Sequence, residues 1–269
     1  MTLAFRQRAR QAIADPQLQR LLDQNADTRQ QARMEALREL PQSGELRQRA
    51  RLIRQQVVAE LGAYLDQFGT RLAENGIQTQ RAANAAEANR LILDIVQKHK
   101  AELVAKSKSM LTEEIGLNAA LEAAGIRPVE TDLGEYVVQL RAEKPAHILT
   151  PALHLSTEDV AETFRRQLGA SLGDDVEQIN AEARSRLREV FLTAPVGITG
   201  VNFGVAETGT LCLVTNEGNG RMVATLPPVH IAVMGIERLV PTLDDLAVML
   251  RLLPRFATGQ AITSYVSLI

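Results

Sequence analysis

The sequence predicts an α/β protein with a central, mostly parallel sheet, preceded by a helical region. Residues 1–100 contain little Gly or Pro and are rich in Arg, Gln, Ala, Glu and Leu, which favour helices. From about residue 101, short apolar segments alternate with helical ones, a pattern typical of parallel βα units. We therefore expect a helical N-terminal extension over 1–100 and an α/β domain over 101–269.

The longest predicted helix of the extension begins at Ser43 and ends at Asn75-Gly76. Ser43 is a suitable N-cap, and Asn-Gly is a common helix stop. Between these ends, apolar residues recur at spacings of three, four and seven, which places them on one helix face. These residues are Leu46, Ile53, Val57, Leu61, Leu65, Phe68 and Leu72. A second apolar stripe, at 91–96, predicts another helix whose face also packs in the core.

The second part of the chain is predicted from short apolar runs and helix caps. Ser156 with Asp159 resembles a capping box, and Thr112 and Thr242 are further cap candidates. A charged helix is expected over 175–192. We expect the glycine-rich region 197–226 to form an antiparallel hairpin on the same sheet. The predicted strands are "AELVAK", "IRPVE", "PAHILT", "VGITGVNF", "TLCLVTN", "RMVATL" and "VHIAVMG".

Composition limits the classes of function. The net charge of −2 argues against general nucleic-acid binding, although 1–100 is more basic than the rest. The lone cysteine, Cys212, excludes an intrachain disulfide and a cluster built from this segment alone. No apolar run is long enough to span a membrane and no leader is recognised, so we expect a cytoplasmic protein. The sequence ends in a strand-like run, "GQAITSYVSLI", which predicts that the native polypeptide continues beyond Ile269.

The segment "KSKSM" is a candidate anion-binding loop. It follows a predicted strand and precedes a predicted helix, where backbone N–H groups are free to bind a phosphate or carboxylate. The side chains that would add positive charge and donors are those of Lys106, Ser107, Lys108 and Ser109. An ordinary basic loop is the alternative.

The segment 197–221 is the second candidate. Glu207, in "AETGT", is our candidate catalytic residue, since burial in a cleft would raise its pKa and make it a base or nucleophile. His230 starts an apolar strand and is a candidate to line a pocket, whereas no histidine has a metal-ligand spacing, so we expect no metal site. The other candidate ligand-binding residues are Asn202, Thr208, Gly209, Asn216, Glu217, Asn219 and Arg221. Simple turn formation explains many of them equally well.

A third group of polar residues is acidic. Glu130, Asp132 and Glu135 lie within six residues in "ETDLGEYVVQL". Such residues can coordinate a cation or supply acid–base groups, but they also commonly solvate a turn and favour a helix N-terminus.

Several of these segments together resemble the lactate-utilisation protein B family. The motifs that carry the resemblance are "KSKSMLTEEIGLN", "ETDLGEYVVQL", "KPAHILTPALHLS", "GITGVNFGVAETGTLCLVTNEGNGRMV", "PPVHIAVMGIERLVPT" and "SYVSLI". They occur in order from about Lys106 to the end. The resemblance implies a LUD domain, similar in fold to the NagB/RpiA/CoA-transferase group.

The same resemblance implies a function. Family members are iron–sulfur subunits that, with partner proteins, support oxidation of L-lactate to pyruvate. Their [4Fe–4S] clusters are expected in a C-terminal region that this chain lacks, so no cofactor is expected in the chain, and the chain alone is expected to be inactive. Partner subunits and a small anionic ligand are the expected partners. By analogy with the fold group, Glu207 is again the first candidate for catalysis.

Two other classes of function remain open. One is a stand-alone CoA or acyl transferase, or a sugar-phosphate isomerase, using the same fold and Glu207. The other is an assembly scaffold whose basic helical region binds a partner.

Overall fold

The structure is a computed structural model that describes residues 3–146 and 150–269. Its N-terminal part is helical, as the composition predicts. The predicted long helix is interrupted at Glu60, where the backbone leaves helical geometry (φ −119°, ψ 29°), and it ends at Asn75 as expected. Ser43 is the first helical residue rather than the cap, which is Gln42. The helices are α1 (Leu3–Ala14), α2 (Pro16–Arg38), α3 (Ser43–Ala59), α4 (Leu61–Glu74) and α5 (Ala85–Lys98).

Strands and helices alternate from residue 101 onward. Ser156 and Asp159 form the predicted capping box. Thr242 caps the last helix, whereas Ser109 rather than Thr112 caps the first helix of this part. The elements are β1 (Leu103–Lys106), α6 (Met110–Glu114), α7 (Leu117–Ala123), β2 (Arg127–Glu130), α8 (Leu133–Leu140), α9 (Thr157–Leu168), α10 (Val176–Thr193), β3 (Val196–Gly200), β4 (Phe203–Val205), β5 (Thr210–Thr215), α11 (Asn219–Thr225), β6 (Val229–Val233), β7 (Leu239–Val240), α12 (Leu243–Ala257) and β8 (Tyr265–Leu268).

In the described part of the chain, four strands form an all-parallel sheet in the order β2-β1-β3-β6. Successive residues of a strand point to opposite faces, and β1 shows this clearly. Val104 packs with α5 and α7 on one face, and Ala105 packs with α8, α9 and α10 on the other. The predicted α/β class with a parallel sheet is therefore confirmed.

A second sheet has the order β7-β4-β5-β8. The predicted hairpin is present as β4 and β5, which pair antiparallel, but it belongs to this second sheet and not to the parallel one. Helices α3 and α12 cover one face of the second sheet, and α4 packs against the other. The short loop between β3 and β4 carries the chain from one sheet to the other.

One predicted strand is wrong. The segment "RMVATL" lies mostly in α11, which packs on β3 through the fully buried Val223. Gly197 of β3 permits this approach, because a Cβ there would collide with the Val223 carbonyl oxygen. Another predicted strand, "PAHILT", includes 147–149, which lie outside the described residues.

Cys212 lies in β5, inside the core between α3 and α12. The side chain has no exposed surface, and burial raises the pKa of its thiol to about 12. The thiol is therefore a small apolar core group at neutral pH.

None of the helices in residues 3–146 and 150–269 is both long enough and apolar enough to cross a membrane.

Candidate functional site

A cleft with a volume of about 480 Å³ opens where the carboxyl ends of β1 and β3 meet the second sheet. In α/β proteins, ligands bind at this edge of a parallel sheet. The cleft brings together residues from both candidate segments of the sequence. Those predicted residues that line it are Ser107, Lys108, Ser109, Asn202, Asn216, Glu217 and Asn219.

The loop 107–109 forms one wall of the cleft. The Ser107 amide donates to the Ile198 carbonyl at 2.9 Å, which continues the β1–β3 pairing into the loop. The Lys108 ammonium contacts Asp132 at 3.2 Å, and Asp132 also caps α8. The loop lies close to β3, since a Cβ on Gly200 would come within 2.7 Å of the Ser109 Oγ. The loop is therefore held by β3 and by the start of α8.

A chain of hydrogen bonds, of which all but the first are buried, joins the two sheets below the cleft. Thr215 of β5 donates through Oγ1 to Asn219 Oδ1 at 3.2 Å. Asn219 Nδ2 then donates to Thr131 Oγ1 at 3.2 Å, and Thr131 Oγ1 donates to the Lys106 carbonyl at 2.9 Å. Asn219 thus fixes the end of β5 against the ends of β1 and β2.

The segment 258–264 forms the opposite wall. Asn216 donates to Gln260 Oε1 at 2.9 Å and accepts from Thr263 Oγ1 and from the Ser264 amide, both at 3.1 Å. Glu217 is exposed at the rim and accepts from the Asn216 amide at 3.2 Å. Asn202 lies deeper, where its Oδ1 accepts from the Val214 amide at 2.8 Å.

The charges around the cleft are mixed. Among its lining residues, Lys108 and Arg238 are basic, whereas Glu114, Asp132, Glu217 and Glu237 are acidic. Arg238 is paired with Glu237 at 3.1 Å on the exposed rim. Most of the remaining polar groups are hydroxyls, amides and backbone groups. This lining suits a ligand with hydroxyl groups and one negative charge better than a ligand with several.

Lys106 does not line the cleft, although the sequence places it in the candidate loop. Its side chain is fully buried beneath the loop, where the ammonium contacts Glu130 at 2.5 Å and Glu113 at 3.3 Å. Burial lowers the pKa of Lys106, but the attraction and hydrogen bond of Glu130 and the charges of Glu113 and Glu135 outweigh it, so the pKa lies above its usual value. Lys106 is therefore a charged group of the core.

Lys106 and the polar residues around it form one cluster, in which Lys106, Glu130 and Glu135 are buried and Glu113 and Asn118 are partly buried. We call these five residues the Lys106 cluster. Asn118 donates to Glu130 Oε1 at 2.8 Å. Burial, together with the charge of Glu130, raises the pKa of Glu135 to about 8. One oxygen from each of the three glutamates lies within 4.8 Å of the others, a spacing that can hold a cation. The Lys106 ammonium already supplies a positive charge to two of them.

Glu207 lies away from the cleft. It follows β4 in the turn to β5, whereas the cleft lies at the opposite end of this hairpin, near Asn202 and Thr215. Its Oε1 accepts from the Leu243 amide at 2.7 Å, at the start of α12. The turn also packs on α4, because the Thr208 carbonyl accepts from Asn75 at 2.9 Å and Gly209 lies against Arg71. Glu207, Thr208 and Gly209 are thus not among the residues that form the cleft.

Arg221 and His230 also lie outside the cleft lining. The Arg221 guanidinium stacks over the Tyr265 ring at 5.2 Å, which ties α11 to β8. A ring nitrogen of His230 lies 2.8 Å from the Thr199 hydroxyl, and Thr199 itself lines the cleft. Burial lowers the pKa of His230, which favours its neutral form. His230 is therefore linked to the cleft through Thr199.

Sequence reasoning did not single out several parts of the cleft lining. Thr199 and Gly200 end β3 inside the candidate segment 197–221, where their position after an apolar run is the signal for them, whereas Glu237 and Arg238 have no comparable signal. The segment 258–264 carries no such signal, because only the β5–β8 pairing brings it across from Asn216.

Comparison with known proteins gives the class of this chain. A family model described as the LUD domain matches residues 65–269. The chain therefore belongs to the LUD domain family. No solved structure matches it significantly.

Individual relatives are longer than this chain. It is 43% identical over 264 residues to Lactate utilization protein B of Macrococcus caseolyticus, which covers 98% of this chain and 55% of that protein. It is 42% identical over 267 residues to Lactate utilization protein B of Bacillus subtilis, covering 99% and 56%. It is 44% identical over 262 residues to Uncharacterized electron transport protein YkgF of Escherichia coli, which covers 97% of this chain and 55% of that protein. The chain thus spans about half the length of the curated relatives it matches.

Proposed function

We propose that this chain is the ligand-binding portion of a lactate-utilisation protein, which works with partner subunits to oxidise L-lactate to pyruvate. The names of the relatives and the LUD domain match support the lactate role. The observation that carries the ligand-binding role is the polar cleft at the carboxyl ends of β1 and β3. Its ligand is a small organic anion, with its carboxylate near Lys108.

In this proposal the loop 107–109 binds the anionic group. Lys108 supplies the positive charge, and the hydroxyls of Ser107 and Ser109 supply donors. Asn202 and Asn219 contribute amide groups from the floor of the cleft, and Glu217 accepts from a ligand hydroxyl at the rim. Such convergent polar groups in a largely preformed cleft are what fix the orientation of a small ligand.

Electron transfer is assigned to polypeptide outside this chain. An iron–sulfur cluster requires several thiolates, typically four. The sequence has one cysteine, and Cys212 is buried in the core with its pKa raised to about 12. The residues present do not fit a cluster. We propose that [4Fe–4S] clusters belong to the region by which the relatives exceed this chain.

Calorimetric titration of the purified chain with L-lactate, and separately with pyruvate, tests the binding proposal. We expect Lys108→Met to weaken binding at least about tenfold, equivalent to about 1.4 kcal/mol. The matched control is Lys98→Met, an exposed lysine of α5, which should leave the affinity unchanged. Glu207→Gln should also leave it unchanged. Equal affinities for wild type and Lys108→Met would contradict the proposal.

The size of the cleft favours a second candidate, a CoA or acyl transferase or a sugar-phosphate isomerase. A volume of about 480 Å³ lies in the range of pockets for much larger ligands than lactate. The excess of acidic over basic residues in the lining argues against several phosphate charges. The same titration with CoA and with ribose 5-phosphate decides the question, since tight binding of either would move this candidate ahead of the first.

A further inference from the structure

The Lys106 cluster holds an oxygen atom that the visible hydrogen bonds do not explain. Glu130 is 2% exposed, and its Oε1 accepts from Lys106 and Asn118. Among the described residues, no hydrogen-bond donor reaches its other oxygen, Oε2. A buried acceptor without a donor is costly, so such an atom calls for an explanation.

Glu135 is the neighbour that can supply the missing donor. It is 4% exposed, and its carboxyl group lies within 4.8 Å of that of Glu130. Two carboxylates this close and this buried cannot both be ionised at low cost. If one is protonated, its O–H can donate to the other, and both the repulsion and the orphan acceptor are removed.

The charges that face Glu135 fix which group holds the proton. Lys106 on β1 and Asn118 on α7 both bind Glu130, so they stabilise Glu130 as the carboxylate. Glu113 on α6 adds further negative charge near Glu135. The proton therefore belongs to Glu135, and Glu130 accepts from it.

We propose that Glu135 and Glu130 share one proton at neutral pH, and that this buried proton positions the end of β1 and the cleft loop 107–109. The shared proton holds Glu130 in place, Glu130 holds the Lys106 ammonium, and the Lys106 carbonyl accepts from Thr131 under the cleft. Glu135 and Glu130 are positioning residues, since neither lines the cleft. Because this arrangement involves only residues of this chain that do not line the cleft, it stands or falls independently of the lactate proposal.

The first test is NMR of the chain labelled with ¹³C at the glutamate side-chain carboxyls, titrated from pH 5 to pH 9. We expect one carboxyl to stay neutral at pH 7 and to titrate near pH 8. Glu135→Gln, which keeps a hydrogen-bond donor, should abolish this signal, and Glu122→Gln, an exposed glutamate of α7, should retain it. If every glutamate of the wild type titrates in the ordinary range, the proposal is wrong, whether or not a variant folds.

A second readout separates positioning from simple burial. The backbone amide signals of Ser107 and Lys108 should shift with the same pH midpoint as the buried carboxyl, and this shift should vanish in Glu135→Gln. If these amide signals do not change as the carboxyl titrates, the buried proton does not position the loop 107–109, and that part of the proposal is wrong. Addition of Mg²⁺ at pH 7 should leave the neutral carboxyl signal in place, and its disappearance would overturn the shared proton in favour of a cation.

Discussion

At the scale of single residues, Lys106 is the most unusual side chain. It is among the largest fully buried side chains of the described residues, and it is charged. An ammonium group is stable in a protein core only if it is paired and hydrogen-bonded, and Lys106 has both Glu130 and Glu113. Burial of Lys106 thus requires these ion pairs, and removing one partner leaves the charge of the other without compensation.

Lys106→Met should lower the free energy of unfolding by about 3–5 kcal/mol at pH 7, because it leaves Glu130 buried without its cation. Urea denaturation monitored by circular dichroism measures the loss. Lys98→Met is the matched control, and we expect it to change stability by less than about 0.5 kcal/mol, since Lys98 is exposed. A loss below about 1 kcal/mol in Lys106→Met would show that Glu130 finds another partner.

The candidate site was predictable only in part, and particular residues show why. Lys108, Asn202 and Asn219 were identified from residue type and from their position after apolar runs. Glu207 was placed in the cleft because its neighbours resemble a pocket wall. In the structure Glu207 lies in the β4–β5 turn, and the cleft is at the opposite end of this hairpin, near Asn202 and Thr215.

The Lys106 cluster escaped prediction for a different reason. Lys106 and Lys108 are chemically equal in "KSKSM", but β1 ends at Lys106, so one side chain enters the core and the other stays at the cleft. Only the parallel pairing of β1 with β2 sets Lys106 opposite Glu130. A sequence shows both charges but not this register.

At the scale of elements, the local capping signals were reliable only in part, since Ser156 and Thr242 are caps but Ser43 and Thr112 are not. The Ser156–Asp159 capping box depends only on neighbouring residues, and it was correctly predicted. The strand predicted at "RMVATL" was wrong because its β-branched and apolar residues also suit a short helix against a sheet. Tertiary packing of Val223 on β3 decided the outcome.

Ser156→Ala should destabilise the protein by about 1 kcal/mol at pH 7, because the first turn of α9 loses its cap. Hydrogen bonds from Ser156 lower the pKa of Asp159 below its usual value. The stability that ionised Asp159 contributes is fully present above its unfolded pKa of about 3.9 and is lost as the pH falls through its lower folded pKa. The difference in stability between wild type and Ser156→Ala should therefore shrink in acid.

Urea denaturation at pH 7 and at acidic pH measures this difference. The matched control is Ser185→Ala, an exposed position inside α10, where alanine should be neutral or slightly stabilising. Equal losses for the two variants would contradict a capping role for Ser156.

At the scale of the whole molecule, the N-terminal helices share their core with the second sheet. Leu40, Leu46 and Ile53 pack with Phe203 and other residues of the second sheet and α12. Val57 packs with α4 and β7. The sequence predicted a boundary near residue 100, whereas the family match begins at residue 65. Neither position coincides with a gap in the hydrophobic packing.

A variant that retains only 65–269 should fail to unfold cooperatively. It loses Leu40, Leu46, Ile53 and Val57 from the core, and at about 1.5–3 kcal/mol each their burial is comparable to the whole stability of a typical domain. Circular dichroism melts and size-exclusion chromatography measure the outcome.

The control for this truncation is removal of 1–14, since α1 packs mainly on α2. We expect that variant to melt like the full chain. A sharp, native-like melt of 65–269 would instead show that the LUD domain match alone is an autonomous folding unit.

The burial of Cys212 has a practical consequence for following this molecule in time. A thiol-reactive disulfide reagent reacts only with an exposed thiolate. In the folded chain the Cys212 thiol is fully buried and remains protonated at neutral pH. Since the sequence has no other cysteine, every modification event records one opening of the layer between β5 and α12. The rate at which Cys212 is labelled therefore reports local unfolding of the second sheet, and no engineered probe is needed.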